Sequence, residues 1–213
     1  MNYPDLLFDA FMYPLEAVSL TAKRRERMPQ ACGDVLELGA GTGANLAFYD
    51  PGCISTITLT DLTLSERLHE RAREFRVRSQ RSGLEHANNG YLSMGEASAG
   101  ELPFPEANFD TVVFTMVFCS VPDQDQALRE VCRVLRPGGQ VLFIEHVRPP
   151  GALRHVADQL NPLWHAATGE CNINRDTAAA IRRAGMEIRE LRVSGGGFLI
   201  DGVARKPASS VNE

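Results

Sequence analysis

The chain has 213 residues, a formal net charge of −5, 44% hydrophobic and 23% charged residues, an ordinary mixture for one globular domain. The negative charge disfavours a nucleic-acid-binding protein, since phosphate binding needs a basic surface. No apolar run approaches the ~18 residues of a membrane span, and the first residues lack the basic start and apolar core of a signal peptide. We therefore expect a cytoplasmic protein without a stable membrane anchor.

The hydrophobic pattern, taken in chain order, predicts an initial helix followed by alternating strands and helices. Residues 1–30 carry aromatic side chains at helical spacing, which predicts a helical lid, and residues 208–213 are a frayed tail. Within the main domain, residues 31–207, strands are predicted at 34–39, 54–61, 90–96, 109–121, 139–147, 186–195 and 198–206. Helices are predicted at 44–50, 64–83, 122–135 and 175–185.

This alternation predicts an α/β fold of the doubly wound, Rossmann-like type. The sheet is expected to have seven strands, mostly parallel, with helices on both faces. The last two strands form a glycine-rich hairpin that contributes an antiparallel edge strand. Residues 148–175 follow the fifth strand, where folds of this class usually insert elements that shape the substrate site.

The cysteines and histidines give no sign of a metal site. The five cysteines are scattered, odd in number and without a CxxC pair, which is typical of reduced thiols. The five histidines form no HExxH or HxxxH pair. We therefore expect neither a disulfide framework nor a bound metal.

A glycine-rich turn, "DVLELGAGTGANL", follows the first predicted strand. Gly39, Gly41 and Ala44 satisfy the GxGxx[G/A] pattern of dinucleotide-binding proteins, a weak signal by itself. Asp61 ends the second predicted strand, where an acidic residue commonly binds the ribose hydroxyls of an adenosine. Asp61 as an N-cap of the next helix is the alternative, although Ser65 could also cap that helix.

Glu37 distinguishes the two cofactors that fit such a turn. Its carboxylate stands two residues before the first glycine, close to the place of a dinucleotide pyrophosphate. A negative charge there repels phosphate, whereas it suits a sulfonium or ammonium group. The turn therefore favours a cationic adenosine cofactor over a dinucleotide.

Three successive motifs, "VLELGAGTGANL", "GEASAGELPFPEANFDTVV" and "ALREVCRVLRPGGQVLFIEHV", resemble those of class I S-adenosylmethionine (SAM) methyltransferases. The segments "FCSV", "EHV", "NPLWH" and "GECNINRDT" resemble the small-molecule branch that contains the methyltransferase-like 7 proteins, which are thiol S-methyltransferases. Similar short bacterial chains are grouped near the ubiquinone and phosphatidylethanolamine methylating enzymes. The mammalian members carry an apolar N-terminal anchor that the first residues here do not match.

The resemblance implies that SAM lies along the ends of the first four strands. Glu37 is expected to hold the methionine amino group, Asp61 the ribose, and Glu96 the exocyclic amine of adenine. Asn45 would contact the methionine carboxylate, and Leu62 would pack on adenine. The full expected cofactor site is Glu37, Gly39, Ala40, Gly41, Gly43, Asn45, Asp61, Leu62, Gly95, Glu96, Ala97, Thr115, Met116 and Val117.

Four further residues are candidates for the acceptor side. His146, at the end of the fifth strand, and His165, in "NPLWH", are candidate bases. Cys119 and Trp164 are candidates for lining the acceptor pocket. Each has a plainer alternative: a hydrogen-bonded structural histidine, or ordinary packing of a small or aromatic side chain.

The expected reaction is in-line methyl transfer from SAM to a small-molecule acceptor, a thiol by resemblance, with release of S-adenosylhomocysteine. O-, N- or C-methylation of another metabolite remains open. An NAD-type oxidoreductase and a non-catalytic SAM-binding protein are the alternatives from other classes. We expect a monomer or homodimer that binds no nucleic acid.

Overall fold

The computed structural model describes residues 20–81, 90–168 and 171–208. Its centre is one seven-stranded sheet in the order β3-β2-β1-β4-β5-β7-β6. The strands are β1 Gly33–Leu38, β2 Ile54–Asp61, β3 Leu92–Glu96, β4 Phe109–Thr115, β5 Leu135–His146, β6 Glu187–Ser194 and β7 Leu199–Arg205. Strands β1 to β5 pair in parallel, whereas β7 pairs antiparallel with both β5 and the outermost strand β6. This confirms the predicted fold class, with the antiparallel pairing at one edge.

Helices cover both faces of the sheet, as predicted. They are α1 Thr21–Arg27, α2 Glu66–Arg81, α3 Gln124–Val134, α4 Leu153–Thr168 and α5 Thr177–Arg183. On one face α2 buries Leu68 and Phe75, and on the other α3 and α5 bury Leu128, Val131 and Ile181. Because β4 and β5 are covered on both sides, most of their residues are buried.

The predicted helix at 44–50 is wrong. The chain forms only one 3-10 turn there, Ala44–Ala47, and then a second short turn, Pro51–Cys53. A proline keeps the preceding residue out of the α region, and Asp50 is extended, with ψ 107°. Too few residues therefore lie between the glycine turn and Pro51 for an α-helix. The segment "RPGG", residues 136–139, forms the irregular start of β5, where Gly138 has φ +79°.

Part of the predicted lid is anchored to the sheet. Residues 21–30 form α1 and a short 3-10 turn, and Leu20 and Met28 belong to the hydrophobic core. The aromatic residues on which the lid prediction rests lie outside the described residues, as do residues 209–213 of the tail. The predicted insertion, 148–175, contains α4. In the described ranges, no helix has both the length and the apolar character to cross a membrane.

Candidate cofactor and acceptor site

The carboxyl ends of the parallel strands meet at a topological switch point. β1 lies between β2 and β4, so the chain moves outward to β3 and then returns to the other side of β1. Doubly wound folds bind ligands in the crevice at this position. The last residues of β2, β3, β4 and β5 are Asp61, Glu96, Thr115 and His146, all of them predicted site residues. One edge of the sheet thus collects residues that are up to 85 positions apart in the sequence.

In the loop after β1, glycine is needed for different physical reasons at Gly39 and Gly41. Gly39, Gly41 and Gly43 all have positive φ, of 62°, 55° and 74°. A Cβ on Gly39 would lie 2.4 Å from Val117 Cγ2, so glycine there permits close packing between the loops after β1 and β4. A Cβ on Gly41 would come no closer than 4.0 Å to a neighbouring heavy atom. The backbone at Gly41 therefore faces open space in which a ligand can approach.

Asp61 organises this loop. Its carboxylate accepts hydrogen bonds from the backbone N–H groups of Gly41 and Leu62, both at 2.7 Å. Ser65 Oγ accepts from Leu68 N, so Ser65 rather than Asp61 caps α2. Asp61 keeps partial exposure, and the neighbouring Leu62 is 67% exposed. A carboxylate and an apolar side chain are thus presented together at the open side of the loop.

Glu37 is enclosed beneath the glycine loop. Its Oε1 accepts from Asn45 Nδ2 at 2.9 Å, its Oε2 accepts from Tyr49 Oη at 2.7 Å, and Asn45 Oδ1 accepts from Arg24 Nε at 2.9 Å. Burial raises the pKa of Glu37 to about 7, although the hydrogen bonds from Tyr49 and Asn45 and the charge of Arg24 oppose it. The structure places Glu37 and Asn45 in one network. It also adds Arg24 and Tyr49, which the sequence pattern did not reveal.

The end of β3 lies beside Asp61. Ala97 N donates to Asp61 O at 2.8 Å, which holds the segment Gly95–Ala97 against β2. Glu96 is exposed, and Gly95 and Ala97 are half-buried. The predicted adenine-side residues therefore lie together at an accessible part of the edge.

The turn after β4 is held by a carboxylate that sequence reasoning missed. Glu145, the penultimate residue of β5, is fully buried and accepts from the N–H groups of Val117, Phe118 and Cys119, at 2.8, 3.1 and 3.3 Å. Burial raises the pKa of Glu145 to about 8 despite these three donors. Met116 starts the turn with φ +60°, a conformation rare for a residue with a side chain. An acidic residue in an otherwise apolar strand was the available signal.

Two cysteines and a histidine converge beyond this turn. The side-chain ligand atoms of Cys119, His146 and Cys171 all lie within 4.8 Å of one another, and all three residues are buried. We call these residues the Cys–His–Cys cluster. Cys171 Sγ lies 3.4 Å from His146 Nδ1. The pKa of the Cys171 thiol is lowered by its contact with Cys119 and then by His146, whereas the pKa of Cys119 is raised by the same contact with Cys171 and by burial.

Helix α4 contributes one of its two predicted residues to this region. The Trp164 ring packs edge-on against His146, with centroids 6.4 Å apart, and its side chain interacts with the Cys171 thiol. His165 is exposed on α4. The structure therefore brings Trp164, Cys119 and His146 together but leaves His165 facing solvent, and a role for His165 stays a prediction.

Comparison with known proteins gives a family. A family model described as a methyltransferase domain matches residues 36–143. Human thiol S-methyltransferase TMT1A is 38% identical over 156 residues, 70% of this chain and 58% of the relative. Phosphatidylethanolamine N-methyltransferase of Cereibacter sphaeroides is 34% identical over 140 residues, 63% of this chain and 64% of the relative. The solved S-adenosylmethionine-dependent methyltransferase of Mesorhizobium loti superposes with a TM-score of 0.61 at 19% identity, covering 90% of this chain and 99% of that one.

The doubly wound sheet, the open glycine loop and the acidic end of β2 define a Rossmann-like domain for an adenosine-containing cofactor. The chain belongs to the methyltransferase-domain family, and its cofactor is SAM rather than a dinucleotide. The predicted resemblance to thiol S-methyltransferases is confirmed as a similarity of sequence. The chain spans 58% and 64% of the lengths of the two relatives described above.

Proposed function

We propose that the protein transfers the methyl group of SAM to the sulfur of a small thiol. The observation that carries methyl transfer is the open backbone at Gly41 beside the Asp61 carboxylate, at the switch point of the sheet. The similarity to thiol S-methyltransferases supports sulfur as the acceptor atom. A cytoplasmic location and a monomeric or homodimeric state are part of the same proposal.

The residues at the strand ends fit the parts of SAM. Asp61 offers carboxylate oxygens to the ribose hydroxyls, and the exposed face of Leu62 receives one side of adenine. Glu96 is accessible for the exocyclic amine. The methionine part would pass the Gly41 backbone, with the buried network of Glu37 and Asn45 beneath it. Thr115, Met116 and Val117 would form the floor where β4 ends.

The acceptor would lie beyond β4, between the turn held by Glu145 and helix α4. Trp164 supplies an apolar wall there, and Cys119 and His146 lie at its base. SAM supplies a methyl group already activated by its sulfonium. The protein therefore needs chiefly to align the acceptor sulfur with that methyl, to exclude water, and to favour the thiolate. A free thiol with a pKa of about 8.5 is only a few per cent ionised near neutral pH.

An amine acceptor is the second candidate, favoured by the similarity to a phosphatidylethanolamine N-methyltransferase. The two candidates share the cofactor site and differ only in the chemistry beyond β4. A positively charged amine must also lose a proton before it can attack. The same acceptor region would then need a base, for which His146 is the candidate.

The test measures S-adenosylhomocysteine released from SAM with small thiols, phenols, amines and quinol precursors. We expect turnover with thiols, and Asp61→Ala should weaken SAM binding in calorimetry at least about tenfold, because a charged hydrogen-bonding group contributes about 1.5–3 kcal/mol. Asp50→Ala is the matched control: Asp50 also accepts a backbone hydrogen bond, from Gly52, but in a turn outside the proposed site. Turnover with amines alone would overturn the thiol assignment. Unchanged SAM affinity in Asp61→Ala would remove Asp61 from the ribose site.

A further inference from the structure

The Cys–His–Cys cluster has a ligand set that metal sites use. Its members come from three separate elements: Cys119 from the turn after β4, His146 from the end of β5, and Cys171 from the segment between α4 and α5. Cys119 is 1% exposed, and His146 and Cys171 are each 8% exposed. A free cysteine is often buried as a small apolar side chain, but a buried imidazole nitrogen needs a polar partner. Here the partner of His146 Nδ1 is the sulfur of Cys171, which itself lies beside Cys119.

The separations of the three ligand atoms are within about 1 Å of those around a tetrahedral zinc ion. Zinc lies about 2.3 Å from cysteine sulfur and about 2.0–2.1 Å from histidine nitrogen, so tetrahedral ligands are separated by about 3.5–3.8 Å. His146 Nδ1 and Cys171 Sγ are 3.4 Å apart. No pair of the three atoms is separated by more than 4.8 Å, so at most about 1 Å of side-chain movement would complete the site.

The surroundings hold the three ligands in position. Asn172 donates both its backbone N–H and its side-chain amide to Cys119 O, at 2.9 and 3.0 Å, and so joins the segment of Cys171 to the turn of Cys119. Asn161 of α4 donates to Asn172 Oδ1 at 3.0 Å. Glu145 fixes the same turn through Cys119 N. Supporting hydrogen bonds of this kind orient metal ligands and strengthen binding.

We propose that Cys119, His146 and Cys171 bind a zinc ion whose fourth position takes the acceptor thiol. Two thiolates and one imidazole are a borderline-soft set that suits zinc, and three protein ligands with one open position are typical of catalytic zinc. This inference rests on the proposed function for its acceptor, but not for the metal site itself.

The ion would supply the thiolate that methyl transfer needs. On binding zinc the acceptor S–H loses its proton to solvent, because coordination lowers the pKa of a thiol. The acceptor sulfur then forms a bond to the methyl carbon as the methyl–sulfonium bond breaks, and that electron pair stays on the sulfur of S-adenosylhomocysteine. The product thioether is neutral and a poorer ligand, so it leaves.

The first experiment measures zinc in the full-length protein by plasma mass spectrometry after dialysis without chelator. We expect equimolar zinc, lost in Cys119→Ser and Cys171→Ser and retained in the control Cys53→Ser, which removes an exposed cysteine. Asn172→Ala should lower the zinc affinity about tenfold or more in a chelator competition, as loss of a supporting hydrogen bond does. Zinc-free wild type, or equal zinc in all three cysteine variants, would overturn the site. A Cys119–Cys171 disulfide in the non-reduced protein would also overturn it.

A second measurement tests the open position. Cobalt bound in place of zinc should show sulfur-to-metal charge-transfer absorption, and 2-mercaptoethanol should change that spectrum without SAM. An unchanged spectrum would mean a closed, structural site and would overturn acceptor binding. The two proposals can be overturned independently. Methyl transfer by a zinc-free protein would overturn the zinc site but not the proposed activity. A cobalt site that responds to thiol, in a protein without turnover, would overturn the proposed activity but not the metal site.

Discussion

Glu37 is a carboxyl group with no access to solvent, and its environment makes the stability of the protein depend on pH. The groups that face it are Arg24, Tyr49, Asn45 and Asp61; Arg24 and the two hydrogen-bond donors favour the charged form, and Asp61 disfavours it. Burial outweighs the groups that favour the charged form and raises the pKa of Glu37 to about 7, from a usual value of 4.5. The folded state therefore holds a proton that the unfolded chain releases between these two values.

The predicted consequence is a loss of stability as the pH rises. The contribution of Glu37 is fully present below about pH 4.5 and disappears as the pH rises through about 7. The free energy of unfolding should thus fall on this account by roughly 2.5 kcal/mol between pH 5 and pH 8. Urea unfolding at both pH values should show this fall in the wild type and a flatter dependence in Glu37→Gln.

Glu130→Gln is the control for this pH dependence. Hydrogen bonding to Arg133 lowers the pKa of Glu130, so Glu130 titrates below the window and its removal should leave the slope unchanged. Equal slopes in Glu37→Gln and the wild type would show that Glu37 is ionised in both states at pH 5.

For individual residues, the sequence predicted which side chains lie at the strand ends better than it predicted the side chains that contact them. Glu37 and Asp61 were predicted as candidates because an acidic residue near a glycine turn and another after the next strand form a known pattern. Arg24 and Tyr49, which complete the network of Glu37, belong to no such pattern, because tertiary folding alone brings them together. The same holds for Cys171, which lies 25 residues from its histidine neighbour.

The turn after β4 shows how one element is positioned by another. Three consecutive N–H groups point at the Glu145 carboxylate of β5, and the turn begins with the left-handed Met116. Because these donors have no other place in the sheet ladder, Glu145 acts as the acceptor that closes the turn. This turn also sets the position of Cys119 in the Cys–His–Cys cluster and of Val117 against Gly39.

Removal of this carboxylate should destabilise the element strongly. Glu145→Ala would remove both buried carboxylate oxygens and leave three N–H donors without an acceptor, at about 1–3 kcal/mol for each unpaired buried group. We expect a loss of at least about 3 kcal/mol in the free energy of unfolding, measured with urea. Glu130→Ala is the matched control, since Glu130 also accepts a backbone N–H, from Leu102, but is partly exposed. A loss no larger than that of the control would show that water replaces Glu145.

Most strands and helices were predictable because buried, apolar residues recur at a regular spacing within each of them. The seven strands were found from apolar or β-branched runs, and α3 from its amphipathic pattern after Asp123, which caps it. The single 3-10 turn after the glycine loop was not found. The residue types there are compatible with a helix, but too few residues lie between the glycine loop and Pro51 to form one. The hydrophobic pattern alone does not show how many residues are available.

At the scale of the whole molecule, the beginning and the end of the described chain are joined by buried charge. Arg27 of α1 is 0% exposed and donates to Asp201 of β7 at 2.9 Å and to Glu190 of β6 at 2.5 Å. Lys23 also pairs with Asp201. These contacts fix α1 on the antiparallel hairpin, so the first helix is held by strands more than 160 residues away.

Breaking this connection should destabilise the entire fold. Arg27→Ala leaves Asp201, which is 1% exposed, with Lys23 as the remaining cation that pairs with it among the described residues. Loss of one partner of a buried ion pair costs about 3–5 kcal/mol, which corresponds to a fall in Tm of roughly 6–20 °C for a domain of this size. Arg192→Ala is the matched control, because the Arg192–Glu26 pair joins β6 to α1 across the surface, with side chains 53% and 48% exposed. We expect at most about 1 kcal/mol from this exposed pair. Equal Tm values for the two variants would mean that α1 is held by apolar packing, through Leu20 and Met28, and not by the buried charges.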